Sequence, residues 1–367
     1  MSPLEAQVAL NMLPGIGPIR CRRLIDGLGS ASEVLRANKK AWLSVHGIGP
    51  EIASTLANWQ NLCDPAAEIE ACRSRGISLI TPADESYPPL LREIYDSPLL
   101  LYCWGELKGQ DHQALSIVGS RRCSHYGLQV TRKLSYQLAA SGQTIVSGLA
   151  RGIDTAAHEA ALAAQGRTIA IIGSGLNQLY PAENEALAER IASGHGAVIS
   201  EYPLQTRPDK GTFPMRNRLV AGWSLGLIAV ECPEKSGALI TANLAAEGGR
   251  SVFVVPGPVD RSSFAGSHRL IRDGATLITD GSEVLNDLGA SQHSSSTEPT
   301  KPAQATARHL SSEQALVLDH LSSLETTTDE LIERCGLPAA TINQSLAMLE
   351  IFGLVESCAG ARYVRSA

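Results

Sequence analysis

Residues 114–127 read ALSIVGSRRCSHYG, an apolar run followed by a Gly-Ser turn, two arginines and the start of a helical pattern. The run is apolar almost throughout, as a strand needs to be when both faces of its sheet are covered. Similar runs alternate with Ala- and Leu-rich amphipathic stretches as far as about residue 288. These runs are TIVS (144–147), RTIAII (167–172), AVIS (197–200), GLIAVE (226–231), RSVFVV (250–255) and ATLIT (275–279).

Strands that alternate with helices indicate βαβ units and a mostly parallel sheet. The sequence therefore predicts an α/β fold, with an extended Rossmann-like, doubly wound sheet at residues 63–288. Residues 1–62 are predicted to form a small helical domain. Residues 289–308 are rich in Ser, Thr, Pro, Gln and Ala, and we expect a flexible linker there. Residues 309–367 show three helical patterns and a β-hairpin, which predict a winged helix.

The charge, the distribution of apolar residues and the cysteine content limit the classes of function that the protein can have. The 367 residues include 31 Lys and Arg against 37 Asp and Glu, so the net charge of −6 gives no sign of nucleic-acid binding. No basic stretch precedes a long apolar run, and we expect a cytoplasmic protein with no membrane partner. The eight cysteines are scattered without a Cys-x-x-Cys pair, so we expect no metal site.

Motifs for nucleotide cofactors and for catalysis are missing or incomplete. Gly173 and Gly175 are not followed by a third glycine at the G-x-G-x-x-G spacing, and no Walker sequence occurs. Neither G-x-S-x-G nor H-E-x-x-H is found. We therefore expect no cofactor and assign no catalytic residue.

The predicted helical domain at residues 1–62 contains an internal repeat. LPGIGP (13–18) and VHGIGP (45–50) share the order apolar, any residue, Gly, Ile, Gly, Pro, and each leads into a helical run. Such a turn in a helix-hairpin-helix motif lets backbone N–H groups meet a DNA phosphate. The same turn also serves simply to join two helices. Arginines flank the first copy but Glu51 follows the second, so both interpretations stay open.

Two loops of the central domain contain residues that are typical of a binding site for an anionic ligand. After the first strand, Gly119 and Ser120 form a tight turn before Arg121, at a helix start that favours anions. The segment SEYPLQTRPDKGTFPMRNRLV (200–220) concentrates cations around Lys210 and places an aromatic side chain, Phe213, among Pro and Gly. Cations beside an exposed aromatic ring are typical of single-stranded nucleic-acid binding.

These loops resemble the DNA processing protein A family (DprA, also called Smf). The shared segments are G-S-R-R-x-S-x-Y-G (119–127), S-G-x-A-x-G-I-D (147–154), Y-P-x-x-N (180–184), S-E-Y-P (200–203), F-P-x-R-N-R (213–218), S-G-x-L-I-T-A (236–242) and V-P-G (255–257). The order of domains is also similar to that family. One departure is His268, which stands where the family usually has Asn.

The resemblance implies a cytoplasmic, non-enzymatic protein of natural transformation. Such a protein binds incoming single-stranded DNA, protects it, loads a RecA-type recombinase onto it and self-associates as a homodimer. Carried over motif by motif, the single-stranded DNA site comprises Gly119, Ser120, Arg121, Lys210, Phe213, Asn217 and Arg218.

The predicted winged helix is acidic. From residue 309 onward three arginines stand against eight Asp and Glu, a net charge of −5, and the segment ATINQSLAMLE (340–350) that would enter a major groove has no cation. Duplex binding requires neutralisation of phosphates. We therefore expect this domain to bind mainly protein.

Two other functions remain open at this point. The core also resembles the LOG-type nucleotide phosphoribohydrolases, in which case Glu231 or Glu247 would help to cleave an N-glycosidic bond. However, the P-G-G-x-G-T-x-x-E loop of those enzymes is absent, and this chain reads KSGALITANLAAE (235–247) there. A purely structural scaffold is the third interpretation.

Overall fold

The computed structural model describes residues 1–289, 310–322, 324–358 and 360–365. The chain divides into two compact units, Met1–Arg122 with Thr131–Leu288, and Cys123–Val130 with Gly289–Ala367. Apart from Gly289, the predicted linker at 289–308 lies outside the described residues. Within the part of the chain that is described, no helix is long and apolar enough to cross a bilayer.

A nine-stranded sheet runs through the first unit, in the order β1-β2-β6-β5-β4-β3-β7-β8-β9. Strands β3 to β9 are parallel, whereas β2 pairs antiparallel with both β1 and β6. The strands are β1 Ile77–Ile80, β2 Leu101–Gly105, β3 Ala114–Val118, β4 Thr144–Ser147, β5 Thr168–Ile171, β6 Gly196–Ser200, β7 Gly226–Ala229, β8 Ser251–Val254 and β9 Thr276–Leu277.

The central strands are buried on both faces, as their composition predicts. Every residue of β3, β4, β5 and β6 is buried. Successive side chains of a strand point to opposite faces, so Ile169 packs into one apolar layer and Ala170 into the other. The α/β class and the extended, doubly wound sheet are confirmed.

Helices cover this sheet and precede it. Those of the first unit are α1 Pro3–Met12, α2 Pro18–Leu28, α3 Ala31–Arg36, α4 Lys39–Leu43, α5 Pro50–Ala57, α6 Trp59–Leu62, α7 Pro65–Ser74, α8 Pro89–Glu93, α9 His125–Ala140, α10 Ile153–Ala163, α11 Glu185–Arg190, α12 Thr212–Trp223, α13 Gly237–Glu247, α14 Ala265–Arg272 and α15 Gly281–Asp287; α9 starts in the second unit. Short 3₁₀ turns occupy Gly109–Gln113, Ala182–Asn184 and Ser262–Phe264, and a π turn occupies Ile191–His195.

The internal repeat forms two helix-joining turns. Gly15 and Gly47 adopt positive φ angles of 77° and 84°, which a residue with a side chain rarely takes. Two residues later, Gly17 and Gly49 are the N-caps of α2 and α5, and each is followed by a proline that suits the first helical position. Both turns therefore lead into a helix, as each of the two interpretations requires, and phosphate contact by them stays a prediction.

The domain boundaries stay predictions as well. Helix α7 lies beyond the predicted end of the helical domain at residue 62, and it packs against both α1 and β1. Val8 of α1 and Cys72 of α7 share one apolar layer with Ile77 of β1. The N-terminal helices and the sheet are therefore joined by a continuous core.

The second unit contains the winged helix. A three-stranded sheet in the order β10-β12-β11 packs with three helices around a small apolar core that includes Val317, Leu331 and Leu346. Its elements are α16 Ser312–Asp319, β10 Thr326–Thr327, α17 Thr328–Cys335, α18 Ala339–Ile351, β11 Val355–Cys358 and β12 Arg362–Arg365. Helix α16 ends at Asp319, and Ser323 lies outside the described residues.

Candidate functional site

Three loops and the start of α12 meet beyond the carboxyl ends of strands β3 to β6, at the edge where open α/β sheets bind their ligands. They enclose a cavity of about 220 Å³. The lining residues are Arg121, Arg122, Gly148, Ala150, Arg151, Gly173, Tyr180, Pro181, Phe213 and Arg216. Four arginines and two aromatic rings therefore share one pocket of an otherwise acidic chain.

An arginine and two rings form one wall of this pocket. The guanidinium carbon of Arg121 lies 5.3 Å from the centroid of the Phe213 ring. The rings of Phe213 and Tyr180 are 5.7 Å apart at an angle of 53°. A cation within about 6 Å of an aromatic centroid is attracted to the ring. Arg121 and Tyr180 come from two different loops and Phe213 from the first turn of α12, so the folded sheet edge brings them together.

The turn after β3 is shaped by its neighbours. A Cβ atom on Gly119 would lie 2.5 Å from Ile153 Cγ1, so only glycine fits there. The Ser120 amide donates to the Glu231 carbonyl at 2.9 Å, and the Ser120 hydroxyl accepts from the Arg122 amide at 3.0 Å. Both of these amides are thus engaged within the fold, and the positive charge of the turn resides in the two arginine side chains.

Arg216 is a pocket residue buried against the backbone. It is only 5% exposed and donates from Nη1 to the Ile171 carbonyl. A Cβ atom on Gly148 would lie 1.9 Å from the same Nη1 atom, which explains the glycine. Burial lowers the pKa of Arg216, and the negative charge of Asp154 opposes that change.

Asp154 provides this charge from the first turn of α10. Its carboxylate accepts the amides of Gly148 and Ala150 at 3.1 and 3.3 Å. Burial raises the pKa of Asp154, whereas the Arg216 guanidinium lowers it. The two groups therefore support each other's charged form and fix the loop between them.

The other predicted site residues lie around α12. Lys210 is exposed at the end of the loop that follows β6, outside the pocket lining. Asn217 donates from Nδ2 to the Gly237 carbonyl at 3.4 Å, which links α12 to the start of α13.

Arg218 points into the protein. It is 7% exposed, forms a close ion pair with Glu201 and contacts Asp96 at 3.2 Å. Burial raises the pKa of Glu201, and the Arg218 charge lowers it again. The charge of Arg218 is therefore compensated inside the fold.

The sequence singled out only part of the pocket. Tyr180 and Arg122 were present in the quoted motifs but were not assigned to the site, and Arg151 occupies a variable position of its motif. Arg216 belongs to the basic segment, yet nothing in that segment distinguishes a buried cation from an exposed one. The available signal for Tyr180 was an aromatic residue in a polar loop after a strand.

The two glutamates that the enzyme interpretation requires do not line this pocket. Glu231 follows β7 and is 1% exposed, and Glu247 is the exposed last residue of α13. Among the described residues, the pocket lining includes neither of them. In the same part of the chain, no group of three His, Cys, Asp or Glu side chains is arranged to hold a metal ion.

Comparison with known proteins gives consistent matches. Residues 78–289 match the family model described as DNA recombination-mediator protein A, and residues 301–361 match the DprA winged helix domain. A Synechocystis protein named Smf is 34% identical over 98% of this chain and 98% of its own length. The DNA processing protein DprA of Streptococcus pneumoniae is 46% identical over 56% of this chain and 72% of its own length.

Solved structures agree with these matches. The X-ray structure of DNA processing protein A from Streptococcus pneumoniae superimposes with a TM-score of 0.69 at 34% identity, covering 77% of this chain and 97% of that one. DNA processing protein A from Helicobacter pylori, described for its single-stranded DNA binding mode, gives a TM-score of 0.52 at 33% identity. That match covers 59% of this chain and 97% of the other.

Proposed function

The chain belongs to the DNA recombination-mediator protein A family, and from this premise we propose that its four-arginine pocket binds single-stranded DNA. One observation carries the proposal: Arg121 lies over the ring of Phe213 in a pocket that three further arginines line. A phosphate and an unpaired base of one strand would find a cation and a stacking surface side by side.

Within this proposal the site residues have different roles. Arg121 and Lys210 neutralise phosphates, and Phe213 stacks on a base. Gly119 and Ser120 shape the turn that presents Arg121. Asn217 and Arg218 keep α12, and with it Phe213, in place through their internal contacts.

Preference for a single strand follows from the stacking surface. Phe213 lines a cavity of about 220 Å³, and a strand whose bases are unpaired can present one of them to this ring. In a duplex, both faces of each base are stacked and unavailable to Phe213. Stacking depends little on base identity, so the protein is expected to bind most sequences.

The biological role follows from membership of the family. We propose that the protein protects incoming single-stranded DNA in natural transformation and loads a RecA-type recombinase onto it as a homodimer. The acidic winged helix would then bind protein, since it has few cations for phosphates.

We further propose that the protein has no catalytic activity of its own. The pocket is lined mainly by arginines, backbone and rings, and such groups bind a nucleotide without providing a general acid or base near pH 7. Incubation of the pure protein with nucleoside monophosphates should release no free base above the level of an Arg121→Ala control. Steady release by the parent alone would overturn this statement.

Binding assays test the central proposal. Fluorescence anisotropy of a labelled oligonucleotide and of its duplex, at several salt concentrations, should show tighter binding of the single strand. The affinity should fall as salt rises, because bound cations displace counterions from the phosphates. Equal affinity for both forms, or an Arg121→Ala variant that binds like the parent at every salt concentration, would contradict it.

A further inference from the structure

The loop that presents Lys210 and Phe213 is attached to the N-terminal helices near its start. Glu68 of α7 accepts the backbone amide of Leu204 through Oε1 at 2.8 Å. Asn11 of α1 donates from Nδ2 to the Glu201 carbonyl at 3.0 Å. Both contacts join the residues that follow β6 to helices that precede the sheet.

The neighbouring pocket loop is attached in the same way. Arg75 at the end of α7 donates from Nη1 to the Asn177 side-chain oxygen, in the loop that also carries Tyr180. The backbone amide of Asn177 in turn donates to the Leu204 carbonyl at 3.0 Å. Leu204 is therefore a junction at which one helix and two pocket loops meet.

Apolar packing secures this junction. Leu204 is 1% exposed and belongs to the same layer as Val8 of α1 and Cys72 of α7. Beyond it, the segment from Gln205 to Gly211 has mostly exposed or half-buried side chains. Leu204, whose backbone amide donates to Glu68, is thus the last buried residue before Lys210 and Phe213.

We propose that Glu68, assisted by Asn11 and Arg75, is a positioning residue for single-stranded DNA binding. The N-terminal helices hold the two aromatic loops of the pocket in their binding geometry, and these three residues need not touch the nucleic acid. A loop ordered before binding loses less conformational entropy when the strand arrives. This inference rests on the function proposed above.

A purely electrostatic effect of Glu68 predicts the opposite change in DNA affinity, so an experiment can distinguish the two explanations. Removing a carboxylate near a nucleic-acid site should strengthen binding of a polyanion or leave it unchanged. If Glu68 positions the loop, Glu68→Ala should instead weaken binding of a labelled single-stranded oligonucleotide by about threefold to tenfold. Glu68→Gln should bind close to the parent, because its amide oxygen can still accept from Leu204.

Glu70→Ala is the matched control. Glu70 is on the same helix and is 67% exposed, and its carboxylate pairs only with the side chain of Arg73 among the contacts described. The charge change is therefore the same without loss of a loop contact. Glu70→Ala should bind like the parent or slightly more tightly.

A double-mutant cycle distinguishes positioning from general loss of stability. Lys210 lies on the loop that Glu68 attaches, whereas Arg122 comes from the turn after β3. The effects of Glu68→Ala and Lys210→Ala should be less than additive, since a displaced loop has already weakened the lysine contact. The effects of Glu68→Ala and Arg122→Ala should add, as they do for sites without a shared contact.

The outcomes separate this inference from the function on which it depends. Weaker binding by Arg121→Ala, together with parent-like binding by Glu68→Ala, would overturn the positioning role alone. Unchanged binding by Arg121→Ala would overturn the proposed site. Equal weakening by Glu68→Ala and Glu68→Gln, or additivity with Lys210→Ala, would also contradict the positioning role.

Discussion

The guanidinium carbon of Arg121 lies 5.3 Å from the centroid of the Phe213 ring, although Arg121 follows β3 and Phe213 lies in the first turn of α12. The Phe213 ring is half-buried, and the Arg121 guanidinium has five N–H donors. We propose that the pair attracts a phosphate and presents an aromatic surface to the adjacent base. Both properties are expected to depend on Phe213.

Phe213→Ala should weaken binding of single-stranded oligonucleotides by about fivefold to a hundredfold, the scale of one base stacked on an aromatic side chain. The loss should be similar for dT and mixed sequences, because every base has a stacking face. Phe213→Trp should retain binding. Anisotropy titrations at one fixed salt concentration measure the parent and both variants.

Tyr136→Ala is the control for removal of an aromatic side chain. Tyr136 is on α9, is 50% exposed and lines a different cavity. Its loss should leave the affinity unchanged. A Tyr136→Ala effect as large as that of Phe213→Ala would contradict the assigned stacking surface.

Lys210→Ala should reduce the salt dependence of single-strand binding. Each phosphate neutralised by a cation contributes about 0.7 to the slope of log affinity against log salt. Loss of one contact should lower the magnitude of the slope by about that amount, and affinity at low salt should fall for all sequences. Titrations at four or more salt concentrations measure the slope.

Lys108→Ala provides the comparison. Lys108 is 49% exposed and precedes β3, at the opposite edge of the parallel strands from the pocket. Its slope should equal that of the parent. If the two lysine variants give the same slope, Lys210 does not contact phosphate.

The sequence predicted the fold well for a physical reason. Strands such as β3 are buried on both faces, so burial appears directly as an uninterrupted apolar run in the sequence. The sequence also singles out Arg121 and Phe213, which the fold brings together, since a charged Gly-Ser turn and an aromatic residue among prolines and glycines are local signals.

Other features of the site depend on long-range contacts. The Asn11 amide and the Glu201 carbonyl are 190 positions apart in the chain, and no local pattern relates them. Arg216 and Arg218 share one motif with Phe213, yet the fold buries both cations beside carboxylates. Whether an arginine neutralises a phosphate or an internal carboxylate is decided by packing, which a single sequence does not record.

Arg218→Met should destabilise the protein by about 3 kcal/mol or more, because it leaves the buried Glu201 carboxylate without its cation. Adding Glu201→Gln should restore part of that loss. With Arg218 absent, the main opposition to the effect of burial on the pKa of Glu201 is lost and that pKa rises, so the single variant should be less impaired at pH 5 than at pH 7. Urea unfolding at the two pH values measures these differences. Equal stability of the single and double variants would contradict the internal role of Arg218.

His158 should make stability fall in mild acid. It is fully buried on α10, its Nδ1 lies 2.6 Å from the Thr168 hydroxyl, and burial lowers its pKa from 6.5 to about 3. The unfolded chain therefore binds a proton below about pH 6.5 that the folded protein excludes, and the contribution present above that pH is lost as the pH falls toward 3. At pH 5 the protonation of this single group in the unfolded chain should lower the free energy of unfolding by about 2 kcal/mol relative to pH 7.

The His158→Gln variant distinguishes the contribution of His158 from other effects of acid on the stability of the protein. The variant is expected to be less stable than the parent at pH 7, because a buried polar contact is altered. Its loss of stability between pH 7 and pH 5, measured by urea unfolding, should nevertheless be smaller by about 2 kcal/mol. His46→Gln, at an exposed position, should keep the full loss of the parent. If His158→Gln and the parent lose the same stability between the two pH values, His158 is not the neutral buried group that its contacts indicate.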